Sequence, residues 1–221
     1  MKSFYVIICI FRRVVKNKMA NIETVDYEKI PSKAKEMREL GQQLNNEFTV
    51  AYQSVDEMRN DWYGKRYNAL IVEFNKLIST LNDMFKLIVT DVPFSLETAA
   101  NNYSNADQGK NTCQAQETAH VKISELAASS AVGLRFLTES VSTTQNKVSS
   151  NFDKANEYMS NIEQVLNGIN WESDAATAFK NQFRTMKNNI INAIGEIKAA
   201  FVSNMNSTKE EIQAAETANT I

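Results

Sequence analysis

Few side chains in this sequence could do catalytic or metal chemistry. His120 is the only histidine, and Glu117 precedes it in an E-x-x-H spacing like that of di-iron helical bundles. Such a site needs two of these motifs and two further glutamates, so a single copy predicts a solvated face. Cys9 and Cys113 lie far apart and form no C-x-x-C motif, which argues against a disulfide framework and a cysteine metal site. Because phosphate-binding, nucleophile-elbow and dinucleotide motifs are also missing, we expect no enzyme activity, cofactor or metal.

The elements that would position functional side chains are predicted to be long helices. The 221 residues include only two prolines and six glycines, the two residue types that interrupt helices most strongly. Hydrophobic residues make up 43% and charged residues 23%, as in ordinary soluble domains. The formal charge of −2 gives no electrostatic reason to bind nucleic acid. Composition therefore predicts a soluble all-α protein.

An internal repeat is the strongest pattern in the chain. Apolar residues after Trp62 recur at steps of three or four, which predicts a seam along one helix face. The first seam comprises Leu70, Phe74, Leu77, Leu81, Phe85, Ile88, Val92 and Leu96. A shift of 109 residues gives the second seam, Phe179, Phe183, Met186, Ile190, Ile194, Ile197, Phe201 and Met205. The same shift carries Trp62 onto Trp171, the only other tryptophan, so we interpret the chain as two tandem copies.

Each copy has the pattern of a long helical hairpin with its tryptophan at the turn. The turns, residues 60–65 and 167–173, contain the turn formers Asn, Asp and Gly. A single hairpin would leave its apolar seam exposed, whereas two hairpins can bury their seams against each other. We therefore predict an all-α fold in which two tandem hairpins form an antiparallel four-helix bundle.

The predicted boundaries follow from this repeat. The first hairpin spans residues 19–108, a polar linker spans 109–118, and the second hairpin spans 119–221. The Ala/Ser-rich residues 119–132 are predicted to begin the first helix of the second hairpin.

Pro93 falls inside the second helix of the first copy, and the second copy has no equivalent proline. A proline removes one backbone hydrogen bond, so we expect a kink there. The alternative is a break, with Thr90 or Asp91 capping a new helix.

Residues 1–18 form a separate apolar and basic extension. The apolar run, residues 4–11, is shorter than the roughly 20 residues that a bilayer span needs. Its basic residues mostly follow the run, whereas a Sec signal peptide carries them before it. Two interpretations stay open: a start codon assigned too early, with Met19 as the natural start, or a short peripheral anchor.

Two short motifs carry a resemblance to a known family. Trp62-Tyr63-Gly64 lies in the first turn, and Tyr103 and Asp107 form a Y-x-x-x-D pattern at the end of the first copy. In these features the chain resembles the WXG (Trp-X-Gly, early secreted antigenic target-like) substrates of type VII secretion systems in Gram-positive bacteria and mycobacteria. The resemblance implies helical hairpins that pair antiparallel into four-helix bundles.

The two copies match the family pattern unequally. Residues 19–108 match it well, while the second copy keeps only the W-x-x-x-A-A-x-A-F-x-x-x-F stretch that begins at Trp171. Ser173 replaces the motif glycine and Ile212 replaces the motif tyrosine, although Glu216 keeps the acidic position. Only the first copy therefore has a complete tail motif.

The resemblance implies a function and a site. It implies a non-enzymatic protein made in the cytoplasm and exported without a Sec signal, to act outside the cell or at its surface as a partner, adaptor or effector. Trp171 would lie beside Tyr103 and Asp107 and form a recognition site for the secretion ATPase, while Trp62 and Gly64 would lie at the opposite end. The alternative is that both tryptophans merely plug the ends of the bundle.

Other partners and other functions stay open. A further WXG-type protein or a secreted effector is a second partner that the resemblance implies. Because the two copies are covalently joined, we expect a monomer that contains an intramolecular pseudo-dimer. The rival function is that of a structural or adhesive coiled-coil spacer, which would not depend on Tyr103 or Asp107.

Overall fold

The computed structural model describes residues 26–170 and 174–219, and this part of the chain is mostly helical, as predicted. The elements in chain order are α1 (Ile30–Met58), β1 (Trp62–Tyr63), α2 (Lys65–Phe85), a π-helical segment (Lys86–Asp91), α3 (Val92–Asp107), β2 (Arg135–Phe136), α4 (Thr138–Asn167) and α5 (Asp174–Ala218). The two short strands pair antiparallel, with Trp62 opposite Phe136.

The predicted apolar seams form one continuous core. Helix α1 packs on α4 and α3, α2 packs on α5, and α4 packs on α5. The Phe48 ring lies 5.6 Å from that of Phe152 and 5.9 Å from that of Phe85, while Phe74 lies 6.0 Å from Phe152. Aromatic rings of both predicted copies therefore meet in the same interior, where such contacts stabilise beyond simple area burial.

A glycine allows α1 to approach the π-helical segment closely. Gly41 is buried in α1, and a Cβ added there would lie 2.9 Å from Val89 Cγ2 and 3.1 Å from Ile88 Cγ1. A contact this short requires the neighbours to move, so only glycine fits without rearrangement.

The helical backbone passes Pro93 by way of the π-helical segment. Pro93 lies in the first turn of α3, and Asp91 makes no side-chain capping bond. The Thr90 hydroxyl bonds Thr118 O instead of the helix end, and Lys86 pairs with Asp91. The predicted alternative, a break capped by Thr90 or Asp91, is therefore wrong. A π-helical turn takes in one extra residue, which accommodates the missing N–H and the ring of the proline.

The prediction that residues 119–132 begin a helix is wrong. Helix α4 begins at Thr138, and residues 114–131 have neither helical nor strand structure. We call residues 112–129 the strap. Their backbone groups bond side chains of the preceding helices instead of one another, which is why an Ala/Ser-rich composition does not become a helix here.

None of the helices in residues 26–170 and 174–219 carries an apolar stretch of the length that a bilayer span requires.

Candidate functional site

Trp62 is a core residue at the contact between the two predicted hairpins. Its side chain is fully buried. The ring stacks on Phe201 of α5 at 6.1 Å and meets Phe136 and Tyr67 edge-on, at 5.5 and 6.0 Å. The indole thus joins α5 to the turn after α1 and contributes to the core rather than to an exposed surface.

Gly64 has a backbone conformation that only glycine adopts readily. Its φ of 126° and ψ of −173° fall in a region that is essentially restricted to glycine, and it is the N-cap residue immediately before α2. A Cβ added there would also lie 3.2 Å from Leu134 Cδ1. The W-x-G pattern therefore has a local cause: the tryptophan enters the core and the glycine turns the chain into the next helix.

The first turn lies beside the end of α5. Arg66, in the first turn of α2, forms a 2.8 Å salt bridge with Glu211, seven residues before the end of α5. The Leu137 N–H donates to Asp61 O at 2.9 Å, which ties the start of α4 to the same turn.

Tyr103 and Asp107 lie on the last turns of α3, at the other end of the helical run that starts at Lys65. That run of 43 residues corresponds to about 65 Å at 1.5 Å per residue. Tyr103 is half-buried, and burial raises the pKa of its hydroxyl. Asp107 is exposed and accepts a 2.5 Å hydrogen bond from the Tyr27 hydroxyl.

Tyr27 is a residue of this end that the sequence did not reveal. It precedes α1, and its hydroxyl also accepts a 2.8 Å hydrogen bond from Gln108 Nε2. The hydrogen bond to the Asp107 carboxylate raises the pKa of the Tyr27 phenol. Its partner lies 80 residues away, and no periodic pattern relates the two.

Trp171 lies outside the described residues, so its predicted approach to Tyr103 and Asp107 stays a prediction. The residues on both sides of it border a small apolar cavity. That cavity is lined by Val92, Leu96, Leu166, Ile169, Ala176, Phe179 and Lys180. Under the 109-residue shift, Val92 corresponds to Phe201, and Ala176 corresponds to Tyr67. Both Phe201 and Tyr67 contact Trp62. Two residues that line this cavity thus correspond in the repeat to residues that contact Trp62.

Three asparagines of α2 bind the backbone of the strap. Asn75 donates from Nδ2 to Leu126 O and accepts the Leu126 N–H at Oδ1, both at 2.9 Å. Asn82 makes the same two bonds with Ile123, also at 2.9 Å. Asn68 bonds Ser129 in the same way, at 3.2 and 2.8 Å. Each asparagine thus satisfies both polar backbone groups of one strap residue.

Two further asparagines extend this pattern. Asn45 of α1 bonds Val121 N and O, both at 2.9 Å. Asn101 of α3 accepts the Cys113 N–H and donates to Cys113 O, at 3.1 and 2.9 Å. We call these five side chains the asparagine row: Asn45, Asn68, Asn75, Asn82 and Asn101. Their role was not predicted from the sequence, although Asn68, Asn75 and Asn82 recur at heptad spacing.

A buried ion pair holds the strap between these asparagines. Arg38 and Glu97 form a 3.0 Å salt bridge, with side chains 14% and 8% exposed. Glu97 Oε2 accepts the Gln116 N–H at 3.0 Å, and Arg38 Nη2 donates to Gln116 O at 3.3 Å. The pair therefore bonds both polar backbone groups of Gln116, as each asparagine does for its own strap residue.

The two remaining candidates for chemistry have structural surroundings. His120 and Glu117 lie in the strap rather than on a helix face, so the E-x-x-H spacing of a di-iron helix does not apply. Burial lowers the pKa of His120, and it raises the pKa of the Cys113 thiol. Across the two described stretches, no group of three or more His, Cys, Asp or Glu side chains is placed to hold a metal ion.

Compared with family models, curated proteins and solved structures, the chain matches none. Its function is therefore inferred from its own residues and geometry.

Proposed function

We propose that this chain is a WXG-type helical protein without enzymatic activity, exported through a type VII secretion system. It acts outside the cell or at its surface as an exported partner, adaptor or effector. The observation that carries the proposal is the first turn. There Gly64 has a φ of 126° and Trp62 is buried against Phe201 of the other hairpin, so both motif residues have a structural role.

The proposed architecture is an antiparallel four-helix bundle made within one chain. The Arg66–Glu211 pair supports it, because it joins the turn of one hairpin to the tail of the other. The packing of α1 on α4 and of α2 on α5 supports it as well. Fusion supplies the partner at high local concentration, so we expect a monomer. A concentration-dependent dimer in light scattering would contradict this part of the proposal.

The proposed recognition site is formed by Tyr103, Asp107 and Trp171, and its partner is the secretion ATPase. Tyr103 is half-buried, so part of its ring is held by the fold while the rest is accessible. Asp107 is exposed, and its bond to the Tyr27 hydroxyl holds the carboxylate in one position. The half-buried ring of Tyr103 and the oriented carboxylate of Asp107 together suit binding to a protein surface.

The test is export from a host that has a type VII system. The variants are Tyr103→Ala and Asp107→Ala, with Tyr27→Phe to remove only the bond that orients Asp107. Matched controls are Tyr158→Ala and Asp153→Ala in α4, which are likewise half-buried and exposed. Circular dichroism establishes that every variant keeps its helical content.

We expect the two tail variants to stay in the cell while both controls reach the medium. Normal export of Tyr103→Ala and Asp107→Ala would disprove the recognition site. If the wild-type chain itself is not exported, the rival function is favoured: a coiled-coil spacer. The length of α5 suits that role, since its 45 residues extend about 68 Å.

A further inference from the structure

The strap occupies its site in the manner of a bound peptide. It runs antiparallel to α2 and α3, because Cys113 bonds Asn101 whereas Ser129 bonds Asn68. It runs parallel to α1, where Arg38 bonds Gln116 and Asn45 bonds Val121. Asn68, Asn75 and Asn82 are seven residues apart, about 10.5 Å along a helix. Their strap partners are three residues apart, about 9–10 Å in an extended chain. The two repeats match, so an extended segment stays in register with all three asparagines.

We propose that the asparagine row, with Arg38 and Glu97, forms a groove for an extended polypeptide segment, which another polypeptide occupies when the strap leaves. The chemistry of the occupant follows from what the strap presents. The row bonds only backbone N–H and C=O groups, which every residue except proline carries, so the asparagines themselves exclude only proline from the occupant. This inference does not depend on the proposed export function.

Two apolar side chains supply the selectivity of the groove. Ile123 and Leu126 are 6% and 8% exposed, whereas Val121 between the same helices is 59% exposed. The buried residues are three apart, which is the repeat of a polyproline II helix. The expected ligand is therefore an extended segment with apolar side chains at positions i and i+3.

The strap can leave without unfolding the helices. Gly109 and Gly133 lie beyond its two ends with φ of 75° and 98°, and a Cβ at either would meet nothing within 4 Å. The asparagine side chains exposed in this way can hydrogen-bond to water instead. Arg38 and Glu97 still pair with each other, so no buried charge loses its partner.

The test uses the full chain with a weakened strap, the double variant Ile123→Ser/Leu126→Ser. The probe is a fluorescein-labelled peptide with the wild-type sequence of residues 110–131, and binding is followed by anisotropy. The matched control peptide carries serine at both apolar positions. A second receptor adds Asn75→Ala and Asn82→Ala to the weakened strap.

We expect the wild-type peptide to bind the weakened-strap variant at least about tenfold more tightly than it binds the wild-type chain. On the weakened-strap variant, we expect it to bind more tightly than the control peptide by a similar factor. Loss of the two asparagines should weaken that binding by a similar factor. Equal binding of both peptides, or binding that ignores the asparagines, would overturn the proposal. A wild-type dimer that the peptide dissociates would assign the groove to a second copy of the chain and overturn it as well.

Hydrogen exchange of the wild-type chain tests the same proposal without any substitution. We expect the backbone amides of Ile123, Leu126 and Ser129 to exchange through local opening of the strap. Their exchange should be at least about tenfold faster than that of the amides of α1. Strap amides that exchange only with global unfolding would show that the strap does not leave, which also overturns the proposal.

Discussion

The second helical run of each predicted copy makes an informative comparison. The first run begins at Lys65 and the second at Asp174, which is again a shift of 109 residues. Their apolar seams match position by position, and both enter one core. Their polar faces differ. The asparagine positions Asn68, Asn75 and Asn82 correspond in α5 to threonine, arginine and isoleucine.

The polar face of each run determines what it binds. In α5, Arg184 and Lys187 reach the Glu163 carboxylate of α4, both at 2.8 Å. In α2, amide side chains bind the strap backbone instead. The same apolar seam is thus compatible with two different sets of polar contacts. The residues on the polar face of a helix can change while those of its apolar face stay the same.

The π-helical segment is a second difference with a consequence for the strap. Asn82 and Thr90, both bonded to the strap, are eight residues apart, and Glu97 follows seven residues later. The step of eight across the π-helical segment, against seven within α2, is consistent with the one extra residue of a π-helical turn. The helix thus accommodates Pro93 and still presents polar side chains to the strap, whereas α5 has neither the proline nor the strap.

Removing the buried charge pair of the first run should have the largest effect. In Glu97→Ala, Arg38 keeps its charge in a site 14% exposed and Gln116 loses its acceptor. We expect a loss of about 3–5 kcal/mol in the free energy of unfolding, measured with urea. The exposed pair supplies the control, since Glu211→Ala should lose only about 0.2–1 kcal/mol. Equal losses would show that the Arg38–Glu97 pair is not buried as described.

Shortening one asparagine of the row should have the next largest effect. Asn82→Ala removes two hydrogen bonds and leaves the N–H and C=O of Ile123 without a protein partner. We expect a loss of about 1–3 kcal/mol and faster hydrogen exchange at Ile123. Asn181→Ala in α5 is the control, because it makes the same change at an exposed helical position. A similar loss in both variants would refute a specific role for Asn82.

Adding one methyl group at the first turn should have a similar or smaller effect. Gly64→Ala forces a residue with a Cβ to a φ of 126° and places that atom against Leu134, which should cost about 1–3 kcal/mol. Gly195→Ala in α5 is the opposite case, because a Cβ there meets nothing within 4 Å. That change should stabilise the chain by about 0.5–1 kcal/mol. Thermal unfolding should therefore shift in opposite directions for the two variants.

The parts of the fold that could be predicted are those with local causes. Phe74, Leu81, Ile190 and Ile197 are buried as the seams require, because periodicity alone puts them on one helix face. The tryptophan shift of 109 residues likewise predicted where α5 begins. At Gly64, a turn motif found in the sequence has a backbone conformation that explains it.

The strap could not be predicted because its conformation has distant causes. Residues 119–132 have a helical composition, but their partners lie 41 to 76 residues earlier in the chain. The heptad spacing of Asn68, Asn75 and Asn82 was visible in the sequence. It did not reveal what the amides would bind, because a polar helix position usually faces water. Tyr27 was missed for the same reason, since Asp107 is distant in sequence.

The ion pairs of the second run should show the smallest effect, and one that depends on pH. Lys187 and Arg184 bond Glu163 and lower its pKa below the ordinary value of 4.5. A lowered pKa in the folded state means that the stabilisation is fully present above pH 4.5 and is lost as the pH falls through the folded pKa. Glu163→Gln should therefore be less stable than the wild type at pH 7, and the difference should shrink at about pH 3. Because Glu163 is partly exposed, we expect the difference at pH 7 to be about 1 kcal/mol or less. Urea unfolding of both proteins at the two pH values measures it, and a difference that persists in acid would show that Glu163 stabilises through packing rather than charge.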